Sequence, residues 1–271
     1  MGVIQRVFSK KNRALLHELV KTDFKLRYQG SAIGYLWSLF RPLFMFAILY
    51  VVFTVVFPLG KGIPHYPVYL FVGMMLWNFF AEMTQQSLGS IVGRGDLIRK
   101  IKIPRWMIVF STSLNALINL GLNLIVLAVF MIFNQVDPMP TLALLPLIIF
   151  EVYVFALGLS YFLSAAFVKY RDIQYIWELI IQAGFYLTPI LYPLTMVTND
   201  FFQKLILMNP MAQAIQDARW AVVTHDSNVI TIWRAFEGGW YALIPFGIVT
   251  VVFIAGLAFF RSRSSSFAED I

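Results

Sequence analysis

The sequence predicts an all-α membrane protein with about six transmembrane helices. Three observations carry this reading. Hydrophobic residues make up 59% of the 271-residue chain and charged residues 13%, whereas average soluble proteins carry about 25% charged residues. A soluble domain of this size cannot hide so much apolar surface, because it still needs a polar exterior. Six stretches reach the roughly 20 apolar residues that a spanning helix requires. Lys and Arg fall unevenly between those stretches, which is the signature of membrane topology.

The spans are expected over residues 33–57, 67–92, 107–133, 142–168, 174–193 and 239–260. The second and fifth carry the most polar residues. Between them, seven Lys and Arg lie in the N-terminal segment, five in the 93–106 loop, two at 169–173 and two in the tail. The opposite side holds only Lys61, Lys204, Arg219 and Arg234. This bias places both termini in the cytoplasm. Residues 1–30 lack a continuous apolar core of signal-peptide type, so the first span is expected to act as its own insertion signal.

Residues 11–29 read as an amphipathic helix at the membrane interface. Leu15, Leu16, Leu19, Val20 and Phe24 recur at helical spacing, and Lys11, Arg13, Glu18, Lys21 and Lys25 fill the remaining arc. Such a helix rests its apolar face among acyl chains and its cations against anionic lipid. An anchoring role and a role in subunit contact both fit it. The long segment 194–238 is expected to be an extracellular gate region. Two short amphipathic pieces, 200–208 and 211–223, flank Asn209 and Pro210. Pro210 forbids one continuous regular helix, so two short helices dipping into or lying on the outer surface are expected before the last span. No second domain or internal repeat is apparent.

Several chemistries are excluded or disfavoured. There is no Cys, and therefore no disulfide or thiolate site. No phosphate-binding loop exists, since Gly60-Lys61-Gly62 is too short for one, so the chain should not hydrolyse ATP alone. Neither a zinc-protease motif nor a serine-hydrolase elbow is present. His17, His65 and His225 lie far apart in the predicted topology, which argues against a metal site. The net charge of +7 reads as topology; no basic-aromatic module stands apart from the spans to bind nucleic acid. No catalytic residue is expected.

The most distinctive loop is Gly95–Arg105. Asp96 is placed to cap a short helix, with Leu97, Ile98 and Ile101 on its apolar face and Arg99, Lys100 and Lys102 elsewhere. Pro104 ends it. By charge alone a plain positive-inside loop is the simpler reading.

The chain resembles the permease subunit of type-2 ABC exporters of lipid-linked polysaccharide, the group that includes exporters of O-antigen, capsule, teichoic acid and rhamnan-type polymers. The matching runs are residues 19–38 (LVKTDFKLRYQGSAIGYLWS), the Gly95–Arg105 loop, Tyr170–Ile173, Phe185–Pro193 and Asn209-Pro210-Met211. They span nearly the whole chain in order. The resemblance implies a homodimer in the bacterial plasma membrane, paired with two copies of a separate nucleotide-binding subunit that holds ATP and Mg. This chain itself would carry no cofactor. The 95–105 loop and Tyr170, Arg171 and Asp172 would dock on that ATPase, with Arg171 and Asp172 in charged contacts or Asp172 capping the fifth span.

The implied substrate is a glycan on an undecaprenyl-type carrier. Its sugars need a wettable path, because unpaired polar groups in hydrocarbon cost several kcal/mol each. Aromatic side chains suit the apolar faces of sugars, which makes Tyr35, Trp37, Phe40, Phe185, Tyr186 and Tyr192 candidates for the path. Each also fits ordinary packing or an interface belt. Arg41, about two turns into the first span, could meet the carrier pyrophosphate through its forked donors or snorkel to the surface; Lys25 and Arg27 are similar candidates. Glu82, Glu151 and Glu178 are charged groups in or near spans, whose depth leaves their roles open. An ABC permease for a small drug or lipid, or an ATP-independent carrier, are the competing readings.

Overall fold

A computed structural model describes residues 10–27, 37–57, 60, 62–100, 103–265 and 267. Among them the architecture is helical throughout. The long helices are α1 (Lys10–Arg27), α2 (Trp37–Val51), α3 (Tyr66–Leu88), α5 (Trp106–Phe133), α6 (Leu145–Lys169), α7 (Ile173–Leu187) and α11 (Ile244–Arg263). Shorter ones are α4 (Gly95–Lys100), α8 (Asp200–Leu207), α9 (Pro210–Val222) and α10 (Ile232–Ala235). Four segments among the described residues are long and apolar enough to cross a membrane: Leu39–Val56, Trp106–Phe133, Pro140–Lys169 and Trp240–Arg263.

The two remaining expected spans depart from that pattern for different reasons. Helix α3 is apolar nearly all round, from Tyr66 to Phe80, and a helix of that kind belongs at the centre of a bundle. It does sit there: Val68, Tyr69, Leu70, Val72 and Leu76 are fully buried. Helix α7 has 15 residues, about 22 Å of rise, which is short of the roughly 30 Å hydrocarbon core. It stops at Leu187 rather than reaching 193, because the residue before a proline is driven out of the α region. Thr188 is accordingly extended, with ψ 137°, ahead of Pro189. The second expected span also ends early, at Leu88, followed by a 3-10 turn over Val92–Arg94.

Helix α2 contains Pro42 and runs into a π-helical turn over Val52–Val56. There the Thr54 hydroxyl donates to the Tyr50 carbonyl at 2.5 Å, in the i−4 pattern by which hydroxyls bend helices. The remaining packing follows the antiparallel order of the chain. Trp177 and Gly184 of α7 meet Thr84 and Trp77 of α3 respectively, and Ser87 and Glu82 of α3 meet Thr112 and Asn119 of α5. Helices α6 and α11 cross at Gly158 and Gly256, where backbone touches backbone.

The expected pair of short helices is present. The Asn199 side chain accepts from Phe201 N at 2.9 Å and starts α8; Asn209 accepts from Met211 N at 2.9 Å and starts α9, with Pro210 in its first turn. Asn and Asp are favoured at such caps for this bond, and proline is tolerated there because its missing N–H would be unsatisfied anyway.

Candidate functional site

At one end of the bundle lie α1, α4, the turn 170–172 and the end of α11. The segment 95–105 forms the expected short helix, but its start differs. The helix begins at Gly95, directly after a 3-10 turn, so Asp96 lies in its first turn instead of preceding it. From there its carboxylate still faces the positive end of the helix dipole. Ile98 packs on the core, Leu97 is half-buried, and Asp96, Arg99 and Lys100 are exposed. Lys102 falls outside the described residues. In the second turn, Tyr170, Arg171 and Asp172 are all exposed. Asp172 occupies the residue before α7 but makes no side-chain capping bond, its own backbone being already helical. Arg171 instead lies over the Phe167 ring at 5.0 Å.

A polar joint that the sequence did not announce links this end together. Asp23 of α1 accepts from the Arg94 guanidinium, in an ion pair whose partners are 19% and 18% exposed. Its second oxygen faces Ser111 Oγ at 3.4 Å and Asn115 Nδ2 at 3.5 Å on α5. One carboxylate thus fastens the amphipathic helix both to the residue preceding α4 and to a spanning helix. The signal was present in the sequence: Asp23 is an acid among Lys21, Lys25 and Arg27. Its partners lie some 70 to 90 residues away and share no local pattern with it.

Removing this joint has a measurable expectation. Charge-assisted hydrogen bonds contribute about 1.5–3 kcal/mol each where solvent is largely excluded. Asp23→Ala should cost about 2 kcal/mol of stability and increase protease access to α1 in nanodiscs. Arg94→Ala should cost less on top of it than alone, since contacting residues are not additive. Additive losses would show that the two side chains act separately.

The expected path aromatics are not gathered in one place. Trp37 and Phe40 are exposed near the start of α2. Phe185, Tyr186 and Tyr192 cluster near the far end of α7, with Phe185 5.4 Å from Tyr186 and 6.3 Å from Trp77. Tyr186 is exposed, Phe185 is half-buried, and the Tyr192 hydroxyl donates to the Leu187 carbonyl at 3.1 Å. Tyr35 falls outside the described residues. Among the cations, Lys25 and Arg41 are exposed on α1 and α2, while Arg27 ends α1 with its side chain outside the described residues. Glu82 accepts from Asn119 of α5 and from Gln86 at 2.7 Å, Glu178 accepts from Gln174 at 3.1 Å, and Glu151 approaches Gln213 at 3.4 Å.

At the opposite end the most constrained side chain is Arg219 of α9, which the sequence presented only as one loop cation. It is wholly buried. Its Nε donates to the Tyr69 carbonyl at 3.1 Å, Nη1 to the Pro189 carbonyl at 2.5 Å and to Gln216 Oε1 at 3.0 Å, and Nη2 to the Ile190 carbonyl at 2.6 Å. The guanidinium also lies 3.6 Å from the centre of the Tyr69 ring. One side chain therefore joins α9, α3 and the extended segment after α7. Guanidinium is suited to this because it presents several fixed donors and is weakly hydrated. Gly73 leaves the room, since a Cβ there would approach Nη2 to 2.7 Å.

Comparison with known proteins agrees with this architecture. The chain is 30% identical over 265 residues to the O-antigen export system permease protein RfbA of Myxococcus xanthus, covering 96% of both chains. It is 29% identical over 256 residues to the protein of the same name from Klebsiella pneumoniae, covering 94% of both. Similarity to the polysialic acid transport protein KpsM of Escherichia coli is 20% over 257 residues, covering 94% of this chain and 95% of that one. The family profile of ABC-2 type transporters matches residues 14–223, from within α1 to the end of α9, and this chain is a member of the ABC-2 type transporter family.

Proposed function

We propose that this protein is the transmembrane subunit of an ATP-driven exporter that moves a lipid-linked cell-surface polysaccharide across the bacterial plasma membrane. The observation that carries the proposal is the end-to-end similarity to permeases named for O-antigen export, over 96% of both chains in one case. A permease for a small drug or lipid would match the ABC-2 profile equally well, but the similarity to polysaccharide permeases extends beyond it, from α1 through α11.

In this reading two copies pair and work with two copies of a separate ATP-binding subunit, which supplies ATP and Mg. The exposed face of α4 and the turn at Tyr170–Asp172 dock on that subunit at the cytoplasmic surface, where both termini also lie. Six membrane crossings follow if α3 and α7 are counted with the four long apolar segments, α7 being completed by the extended residues after it. The exposed apolar and aromatic residues of α2 and α7, among them Phe40, Phe44, Tyr186 and Leu187, support a face turned to a second copy and to the polymer. Aromatic surfaces there would let a repetitive glycan slide without fixed hydrogen-bond geometry, and Arg41 or Lys25 would meet the carrier's phosphates.

Depletion of the protein, with glycan measured separately on each face of the membrane, tests the proposal. Polymer on its lipid carrier should accumulate inside while synthesis continues. Unchanged surface glycan in a cell without a second exporter would overturn the polysaccharide reading and favour a small lipid or drug.

A further inference from the structure

The charges of α9 and its surroundings do not balance. Arg219 is surrounded by carbonyls and an amide oxygen. Two residues before Arg219 on α9, and on α6, lie two carboxylates, Asp217 and Glu151, that meet no cation among the described residues. Gln213 Nε2 sits between them, donating to Asp217 Oδ2 at 2.7 Å and approaching Glu151 Oε2 at 3.4 Å. Neither acid has an ion-pair partner among the described residues. Gln213 is wholly buried. Three oxygens of the group, Glu151 Oε1, Asp217 Oδ1 and Gln213 Oε1, are buried and accept no hydrogen bond.

That arrangement is asymmetric in a telling way. The group offers a single N–H side for two acids and leaves three acceptors without a donor. A buried acceptor left unpaired costs about 1–3 kcal/mol, and like charges sharing a site cannot both remain ionised cheaply. Turning the Gln213 amide over would not help, since its oxygen would then face both carboxylates. What the group lacks is a donor that also removes a negative charge. A proton supplies both.

We propose that Glu151, Gln213 and Asp217 form a proton-binding site that fastens α9 to α6. Uptake of one proton from the aqueous side of α9 forms an O–H bond on one carboxylate, leaves one negative charge on the pair and converts one orphaned acceptor into a donor. Burial pushes the Asp217 carboxyl from its ordinary 3.8 up to about 6, against the lowering effect of the Gln213 hydrogen bond. The site therefore fills as pH falls toward 6. Because the folded chain holds this proton more tightly than the unfolded one, the stabilisation is fully present below the unfolded value and is lost as pH rises through about 6.

Other ionisable groups near α9 are differently engaged. On α9 itself Arg219 is held by carbonyls. Tyr66 and Tyr69 of α3 face Arg219. His225, beyond the end of α9, stacks on Trp220 at 4.3 Å and meets Thr141 of the turn before α6 at 3.2 Å. Lys204 of α8 pairs with Asp200 at 2.6 Å, and Arg234 of α10 donates to the His225 carbonyl at 3.0 Å. The charged groups of α11, Arg261 and Arg263, lie in its last turn at the other end of the bundle. These groups are unchanged in every variant of the pair, so comparison of variants isolates the pair.

The test uses the full chain in nanodiscs and does not depend on what is transported. The unfolding temperature of the wild type should rise by about 2–3 °C from about pH 8 to about pH 5, on the scale of one pKa unit of linkage in a chain of this size. Asp217→Asn should flatten that slope and be as stable at high pH as the wild type is at low pH, whereas Glu151→Gln, which removes the like charge, should move the slope to lower pH. In parallel, infrared difference spectra of the wild type should show a buried carboxylic-acid carbonyl band that titrates near pH 6, is lost in Asp217→Asn and titrates at lower pH in Glu151→Gln. Equal pH slopes in wild type and variants would overturn the site. So would the absence of the titrating band in the wild type, which keeps the test decisive if a variant fails to fold. Stabilisation of the wild type by sodium or calcium in place of acid would also overturn it, by making the ligand a metal ion.

Discussion

Arg219→Leu should leave the protein unable to hold α9 in place. The substitution strips donors from the carbonyls of Tyr69, Pro189 and Ile190 and from Gln216 Oε1. The Pro189 and Ile190 carbonyls and Gln216 Oε1 are then buried with no other donor among the described residues, while the Tyr69 carbonyl keeps only its helical partner, and none can be rehydrated without opening the junction between α9, α3 and the segment after α7. At about 1–3 kcal/mol per buried unsatisfied group, the total loss should be about 4 kcal/mol or more, comparable to that from breaking a buried ion pair. Arg219→Lys separates charge from geometry. Lysine keeps the cation but offers one compact head in place of a planar fork, so it can satisfy some of the three backbone carbonyls at a time. It should recover part of the stability. The measurement is thermal unfolding in nanodiscs, together with accessibility of cysteines introduced in the 188–192 segment. Wild-type stability of Arg219→Leu would mean that the junction is held by the apolar packing of α9 alone.

The fold was legible in the sequence where a single helix determines its own fate. Long apolar runs with polar breaks gave the helices at 106–133, 145–169 and 244–263 to within a few residues. Asn209-Pro210 marked the start of α9 because the cap and the proline act locally. The end of α7 was misplaced, although Pro189 stood in the sequence, because hydropathy continues through Leu191 while the backbone cannot. Partnerships were less legible. Asp23 with Arg94, and Arg219 with three carbonyls, join residues 29 to 150 positions apart. Nothing in the local composition separates a cation that ends in a carbonyl nest from one that ends in solvent. In retrospect α9 gave one hint: Gln213, Gln216, Asp217 and Arg219 crowd a short helix flanked by apolar residues. Polar groups that dense, on a helix with an apolar remainder, need partners from elsewhere in the fold.

Gly256→Leu should separate α6 from α11 and cost about 3 kcal/mol or more. Within a bilayer, apolar helices gain little from hydrophobicity toward each other, because lipid is equally apolar; close backbone packing does more of the work. Here α11 packs along α6, and the two approach most closely at Gly158 and Gly256. A Cβ on Gly256 would overlap the Gly158 carbonyl oxygen, and a Cβ on Gly158 would come within 2.6 Å of the Phe253 Cα. These obstacles are backbone atoms, so no side chain can rotate away to make room. Even Gly256→Ala should be costly, and the loss should increase with side-chain size rather than with hydrophobicity. Nearby pairs depend on the same spacing: Tyr161 with Phe260 at 5.1 Å and Phe162 with Phe259 at 5.0 Å. A separation of the axes would open both. Thermal unfolding of Ala, Val and Leu variants at 256 should therefore form a descending series, while the same series at Gly247 of α11, where a Cβ meets nothing within 4 Å, should be nearly flat. Parallel series at the two positions would show that helix propensity, not the close crossing, sets the stability of α11.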